Sequence, residues 1–466
     1  MNRLFSVIIF FFACCTTLQA QDTASLREDS AFIRRLASEI LTNSRAYDNL
    51  RVLTKQIGGR LAGSPQMVKA EQWGLQAMQA AKADHAWMQE CMVPRWVRGG
   101  EDRANVHYAR RGARNTLFKK LDVVALGNSI GSGKLLSADV IEVASFDDLE
   151  AKKDQLKGKI VFYNYKFNPT LVRTFEAYRD ASPYRGQGPS RAAKYGAVGV
   201  IVRSMSHSTD NHPHTGATRY VDSLPKIPAL AVGLRDADML SDLLKTHEVF
   251  SVSLLTRGHF LPDTIGHNVI GEIRGSEFPN EYITIGGHLD SWDNCEGAHD
   301  DGAGCVQTIE VLRAFKALGY KPKRTIRFVL FANEENGLRG GNKYAEEAKA
   351  KGEKHIFALE SDAGGFTPRG FGFTVQPAQM ARIQSWSKLL SPYGAGELTP
   401  GGGGADIGPL NRLLGTPVAG LQPDSQRYFD IHHARSDVFE SVNKRELELG
   451  AVNMAALIYL VDKYGL

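Results

Sequence analysis

From Asn268 onward, short apolar runs of strand length alternate with helical patterns, and the strands close on acidic or histidine residues. Tyr282-Ile283-Thr284-Ile285 runs into a polar loop, and Val306, Ile309, Leu312 and Phe315 mark one face of the helix behind it. Ile326-Arg327-Phe328-Val329-Leu330 ends in Asn333-Glu334-Glu335-Asn336-Gly337, and Ile356-Phe357-Ala358-Leu359 ends in Glu360-Ser361-Asp362. The last helix opens with the capping pair Asn443 and Glu446 and shows Leu447, Met454, Leu457 and Val461 on one face. Parallel strands need crossover connections, which helices supply, so this alternation predicts an α/β fold with a mainly parallel, doubly wound sheet. Ligands of such sheets sit beyond the carboxyl ends of the strands, which is where these acidic clusters fall.

Upstream, Ala31 to Ala46 and Val68 to Ala83 have helical spacing around a turn at Gly58, Gly59 and Gly63. From Leu121 the pattern changes to short strands, Asp122 to Leu126, Val140 to Val143, Lys159 to Tyr163 and Val198 to Val202, with a helix around Ala192 and Tyr195. The expected division is therefore residues 21–120 and 262–466 for the larger domain, with a β-rich insert over 121–261. The first twenty residues stand apart. Arg3 precedes the nearly wholly apolar stretch Leu4 to Cys14, and Leu18-Gln19-Ala20 ends in a small residue, the pattern of a secretory signal peptide cleaved near Ala20. Cys14-Cys15 keeps a lipoprotein reading beside it. No later segment has the ~18 apolar residues of a membrane span. Past residue 20 the cysteines are Cys91, Cys295 and Cys305, of which Cys295 and Cys305 flank the richest motif; a disulfide between them and two buried thiols are the competing readings.

Composition narrows the partners. With 43% hydrophobic and 23% charged residues the chain is globular rather than disordered, and 56 Lys+Arg against 51 Asp+Glu leave a net charge of only +5 over 466 residues. The most basic stretch, Arg95 to Lys120, also carries Glu101 and Asp102 and reads as a solvated face, so no nucleic-acid groove is expected.

The candidates for chemistry are His288 and Asp290, Asp300 and Asp301, Glu334 and Glu335, Asp362, and His432 and His433. Each has a plain alternative: Asp290 as a turn residue, the Asp300-Asp301 pair as a helix N-cap, and Glu334-Glu335 as surface acids in a first helical turn. Jointly they argue for metal. Several carboxylates converging on one crevice repel each other unless cations sit among them, and carboxylate with imidazole suits Zn²⁺. Two metals that share a carboxylate can lower the pKa of a bridging water, with a free carboxylate as general base.

The segments "GGHLDSWD…GAHDDGAG", "FANEENG", "ESDAGG" and "FDIHHARSD" resemble, in order and spacing, the motifs of the co-catalytic di-zinc aminopeptidase/carboxypeptidase family. The likeness extends through "GGRLAGSP", "ALGNSIG", "GKIVFYN", "AAKYGA", "PHTG" and "KRTIRFVLFANEE", nearly the whole chain past the leader. The resemblance implies two zinc ions per chain: His288 and Asp362 for one, Glu335 and His433 for the other, and Asp300 bridging them. It gives Glu334 the general-base role and has Asp290 orient His288. Because the family's His stands four residues before an Asp, here Asp437, it favours His433, with His432 as the fallback; it likewise favours Asp300 over Asp301. The insert resembles a protease-associated domain, and His214, Gly403, Gly404 and Asp406 are read as substrate-facing. Asn294-Cys295-Glu296 departs from the family's smaller, uncharged loop, at the substrate entrance. The implied activity is an exported exopeptidase acting on small peptides, dipeptidase- or carboxypeptidase-like, and a homodimer; an aminopeptidase on the same site is the alternative.

Four rival readings are weaker. Gly127-Asn128-Ser129-Ile130-Gly131 matches a nucleophile-elbow pattern but is not followed by a helix. Gly133-Lys134 is no phosphate loop, since Leu135 replaces Ser/Thr. A non-catalytic binding protein or a single-zinc glutaminyl-cyclase-like enzyme of the same fold would not need the complete ligand set.

Overall fold

The computed structural model describes residues 25–466 except 111, 113 and 114; the leader read at residues 1–20 lies outside them. The larger of two structural units is built on eight strands: β1 (His85–Val97), β2 (His259–Ile273), β3 (Phe278–His288), β4 (Arg324–Phe331), β5 (Lys354–Glu360), β6 (Pro368–Thr374), β7 (Glu397–Pro400) and β8 (Val418–Pro423). They lie side by side in the order β1-β2-β4-β3-β5-β8-β6-β7. The four central strands β4-β3-β5-β8 pair in parallel, as expected. The flanks differ: β1-β2, β2-β4 and β8-β6 are antiparallel, so the sheet is mixed at its edges.

Alternation along the strands explains why the centre is covered on both sides. Phe328 and Leu330 of β4, with Ile283 and Ile285 of β3, face a layer that includes the helices Ala303–Ala317 and Lys444–Tyr464. Val329 and Phe331 face the opposite layer, packed against the helices Arg339–Ala350 and Gly408–Leu414. Each such buried side chain contributes about 1.5–3 kcal/mol of transfer free energy, and burial on both faces is why these strands read as continuous apolar runs. Two helix starts are legible in the same way. Ser64 accepts the Met67 N–H (3.1 Å) ahead of Pro65, and Asn443 accepts those of Arg445 (2.9 Å) and Glu446 (3.1 Å). The reciprocal half of the expected box does not form, because Glu446 turns to the Thr367 hydroxyl (2.6 Å) instead.

The second sheet also has eight strands, running Leu117–Leu121, Arg103–Arg110, His247–Leu255, Leu136–Val143, Ile160–Tyr163, Gly199–Arg203, Ala229–Val232 and Val123–Ala125 across its width. Two of these lie ahead of residue 121. Ala104 and Val106 are buried while Arg103, His107 and the Lys119-Lys120 pair are not, so half of a genuine strand alternation shows in the sequence as a basic, solvated stretch. This sheet's core reaches the larger unit through Phe167, Phe175 and Tyr178, whose rings lie 5.5, 4.9 and 4.8 Å from that of Phe429. That contact presses the short helix Tyr428–Ile431 into place directly before His432 and His433. Among the described residues no helix is long and apolar enough to cross a membrane.

Candidate metal centre

Four chain segments leaving the carboxyl ends of the central strands converge on one crevice. His288 is the last residue of β3; Glu334 and Glu335 follow β4; Asp362 follows β5; His432 and His433 follow β8 through the short helix. Asp300 sits in the turn before the helix Ala303–Ala317. That helix approaches the end of β5 so closely that a Cβ on Gly304 would stand 1.9 Å from the Ser361 carbonyl oxygen, which requires glycine there.

The two histidines are held alike. His288 Nδ1 lies 3.0 Å from the Asp290 carbonyl oxygen and His433 Nδ1 lies 3.2 Å from that of Thr215. A carbonyl only accepts, so Nδ1 carries a proton in both rings and Nε2 is the nitrogen turned to the crevice. Each Nε2 faces two carboxylate oxygens. His288 Nε2 is 3.2 Å from Asp300 Oδ1 and 3.3 Å from Asp362 Oδ1. His433 Nε2 is 3.1 Å from Asp300 Oδ2 and 3.1 Å from Glu335 Oε2. Asp300 thus turns one oxygen to each group. Glu335 Oε1 and Asp300 Oδ2 make no hydrogen bond although both are buried.

The electrostatics point the same way. Burial and the neighbouring Asp300 charge push the Glu335 carboxyl up to about 7, and burial with the charges of Asp362 and Glu335 holds Glu334 well above the usual carboxylate range. Burial also raises Asp300, but the hydrogen bond from His288 and the His433 ring outweigh it and keep that carboxyl far below normal. Two imidazole nitrogens and several buried carboxylates that crowd one another form an arrangement that divalent cations relieve. His288, Asp300 and Asp362 offer ligand atoms within 4.8 Å of one another, and so do Asp300, His432 and His433. The residues present therefore fit two cations that share Asp300.

The remaining predicted residues divide clearly. Asp301 turns away from the crevice and accepts the N–H of His288 (3.0 Å) and Gly304 (2.9 Å), capping the helix. His432 stacks on His433 at 3.5 Å and lies 3.6 Å from Asp300, farther than His433, and it has no contact with Glu335. Asp290 reaches His288 mainly through its carbonyl; its carboxylate accepts the N–H of Glu334 (3.0 Å) and Glu335 (3.3 Å), so it fixes the glutamates as well as the histidine. Glu334, Glu335, Asp300, Asp362 and His433 line a cleft of 720 Å³ between the two units. His214, Gly403, Gly404 and Asp406 do not line it. The buried His214 is pushed down to about 4 by burial, while its neighbour Thr215 holds His433. The Asp406 and Ile407 amides are donated to Glu360 (3.1 and 3.0 Å) rather than left free for a substrate.

Three supports escaped the residue-by-residue reading. Asp437 accepts the N–H of His299 (2.7 Å) and Asp300 (3.2 Å). Arg60, fully buried, donates to the carbonyls of Leu289 (2.5 Å), Glu296 (2.8 Å) and Gly297 (3.0 Å), bracing the loop after β3. Asn294, within the segment that departs from the family pattern, donates to the His433 carbonyl (3.2 Å). Only spacing marked Asp437, and a buried arginine in a Gly-rich turn left no periodic signal. Cys295 and Cys305 are not joined: both are free thiols, and Cys305 donates to the His288 carbonyl (3.0 Å). Ser129 is fully buried, with no exposed nucleophile elbow around it, which removes the serine-hydrolase reading.

Comparison with known proteins agrees with this geometry. The model of peptidase family M28 matches residues 268–458. Carboxypeptidase Q of Mus musculus is 32% identical over 442 residues, covering 95% of this chain and 90% of that protein. The crystal structure of a peptidase M28 precursor from Shewanella amazonensis superposes with a TM-score of 0.87 at 33% identity, over 94% of this chain and 97% of the other. A zinc aminopeptidase from Bacillus subtilis shares the fold at a TM-score of 0.63 and 20% identity, over 90% and 94% of the two chains.

Proposed function

The chain belongs to peptidase family M28 and is a metallo-exopeptidase, and from that premise we propose that it hydrolyses small peptides at a two-zinc centre, as a dipeptidase or carboxypeptidase. The observation that carries this reading is Asp300, whose two oxygens face two separate His–carboxylate pairs. His288 and Asp362 would hold one ion and Glu335 and His433 the other, with Asp300 shared. Zinc in that position supplies Lewis acidity, lowering the pKa of water and polarising a carbonyl. The chain's own residues supply the proton path and the positioning. Glu334 lines the cleft beside the ligands and is not among the residues closest to either histidine, so it is free to take a proton from water and deliver it to the leaving amine. Asp290 keeps Glu334 and Glu335 in register by holding both amides. The insert, which we assign as a protease-associated domain, lines the cleft from the opposite side through Phe175, Tyr178 and Arg185. The apolar pattern of the first twenty residues supports export, and the family resemblance supports a homodimer.

Glu334→Gln tests the assignment. It preserves shape and the Asp290 hydrogen bond, so zinc content should stay at the wild-type value while kcat falls by about 10²–10⁴-fold, the range for losing a general base. A variant that keeps full turnover would remove Glu334 from the mechanism.

A further inference from the structure

Asp290 holds Glu334 from the larger unit by accepting its amide. The same stretch of chain is also held from the insert. After β4 the residues 333–338 carry Glu334 and Glu335 along the cleft, ahead of the helix Arg339–Ala350. Asn336, two positions past Glu334, is only 7% exposed, and its amide is oriented from both sides. Its Oδ1 accepts from Asn333 Nδ2 (2.5 Å), and its Nδ2 donates to Oδ1 of Asn128 in the insert (3.1 Å). Asn128 Nδ2 donates back to the main-chain carbonyl of Asn336 (3.4 Å). Among the described residues this reciprocal pair is the one hydrogen-bonded tie from the insert to residues 333–338. Asn128 is presented by a turn that is itself fixed. Gly127 donates to the Gly216 carbonyl (3.0 Å) and accepts the Thr218 amide (2.8 Å), and the Ser129 amide closes on the Leu126 carbonyl (3.1 Å). A Cβ on Gly127 would run into the ring of the fully buried Trp292, so glycine lets this turn close on the loop after β3. Asn128 then takes a φ of +62°, a left-handed conformation that asparagine tolerates better than most side chains.

We propose that Asn128 is a positioning residue for the exopeptidase reaction: through Asn336 it holds the loop that places the Glu334 carboxylate in the cleft. Two hydrogen bonds engage both the side chain and the main chain of Asn336, so the loop cannot shift without breaking both. A general base depends on such control, since a misplacement of about 1 Å costs on the order of 10²-fold in rate. The Gly127-Asn128-Ser129 segment, whose pattern matches a nucleophile elbow, thus acts without a nucleophile. Its glycine permits the close approach to Trp292, and its asparagine takes the left-handed turn and aims an amide across the boundary between the two units.

This inference rests on the peptidase reading, and one set of assays keeps the two apart. Asn128→Gly removes the amide but leaves the turn unstrained, because glycine takes a positive φ freely. The zinc-loaded wild type and variants are assayed on dipeptides, with kcat normalised to bound zinc and urea unfolding measured alongside. Asn128→Gly should lower kcat about 10- to 100-fold, keep KM within about 2-fold and leave zinc content unchanged. A residue that merely stitched the two units together would move the urea midpoint and not the kcat of the folded, zinc-loaded chain. Asn336→Ala should lower kcat at least as far, since it loses Asn333 as well. Adding Asn128→Gly to it should lower kcat by no more than about 2-fold further, because the pair is already broken. A wild-type kcat in Asn128→Gly, or losses that multiply in the double variant, overturns the inference and leaves the peptidase standing. So does a raised KM at unchanged kcat, which would make Asn128 a substrate contact. Loss of zinc overturns it too, by assigning the pair to Glu335 instead of Glu334. A wild type that binds zinc and cleaves no dipeptide overturns the peptidase reading and the inference together.

Discussion

Asp437 gives the sharpest structural prediction, because it touches no proposed ligand side chain and yet holds one of them in place. It is fully buried, burial pushes its carboxyl up to about 7, and its two oxygens accept the amides of His299 (2.7 Å) and Asp300 (3.2 Å). Asp437→Asn keeps the shape and one acceptor but turns an NH₂ toward the other amide. One buried N–H then loses its partner, at about 1–3 kcal/mol; Asp437→Ala strands both, at about 2–6 kcal/mol, before any cavity is counted. The displaced turn carries Asp300, so the effect should reach the metal centre. Groups that orient ligands typically change metal affinity by about 10- to 100-fold. Urea unfolding of the metal-free chain reads the first quantity and zinc competition against a chromophoric chelator reads the second. Both should move, and Asn should do less harm than Ala. An Asp437→Asn protein that unfolds at the wild-type midpoint and binds zinc as tightly would refute the idea that this carboxylate sets the Asp300 turn.

Three further outcomes follow from the same geometry. Asp290→Ala frees the amides of Glu334 and Glu335, so kcat should fall about 10²-fold by misplacement while circular dichroism stays native; an unchanged kcat would contradict the positioning role. Glu353 is pushed up by burial but pulled further down, to about 2, by His355 and the paired Arg327 contacts. A carboxyl depressed below its ordinary 4.5 adds stability above that value and loses it as pH falls toward 2. Glu353→Gln should therefore be about 1–2 kcal/mol less stable at pH 7, after discounting for solvent screening, and this gap should close at pH 2–3. Equal acid sensitivity of the two proteins would refute that. Alkylation after unfolding without reductant should modify Cys91, Cys295 and Cys305 alike, since none is paired; protection of any two would reveal a disulfide.

Much of the fold was legible because burial on two faces writes itself into the central strands as unbroken apolar runs, and the ends of those runs announced the residues that meet in the crevice. The edges were not legible for the converse reason. Arg103–Arg110 pairs as a strand with one face in solvent, so its basic residues masked the alternation of Ala104 and Val106. The split between Asp300 and Asp301 could not be read from residue type, since identical side chains take opposite directions around one turn. Supports such as Arg60 and Asp437 act by long-range hydrogen bonds to main-chain groups, which leave no periodicity. Asp406, at the end of the Gly-rich segment, misled for a related reason: its amide and that of Ile407 are taken by Glu360, which is distant in sequence.

The most direct test of the central claim is zinc stoichiometry by elemental analysis, measured together with release of amino acids from dipeptides before and after chelation. The account predicts two zinc ions per chain, activity lost on chelation and activity regained when zinc is restored. A chain that cleaves dipeptides without stoichiometric metal, or that keeps its activity through exhaustive chelation, would contradict it.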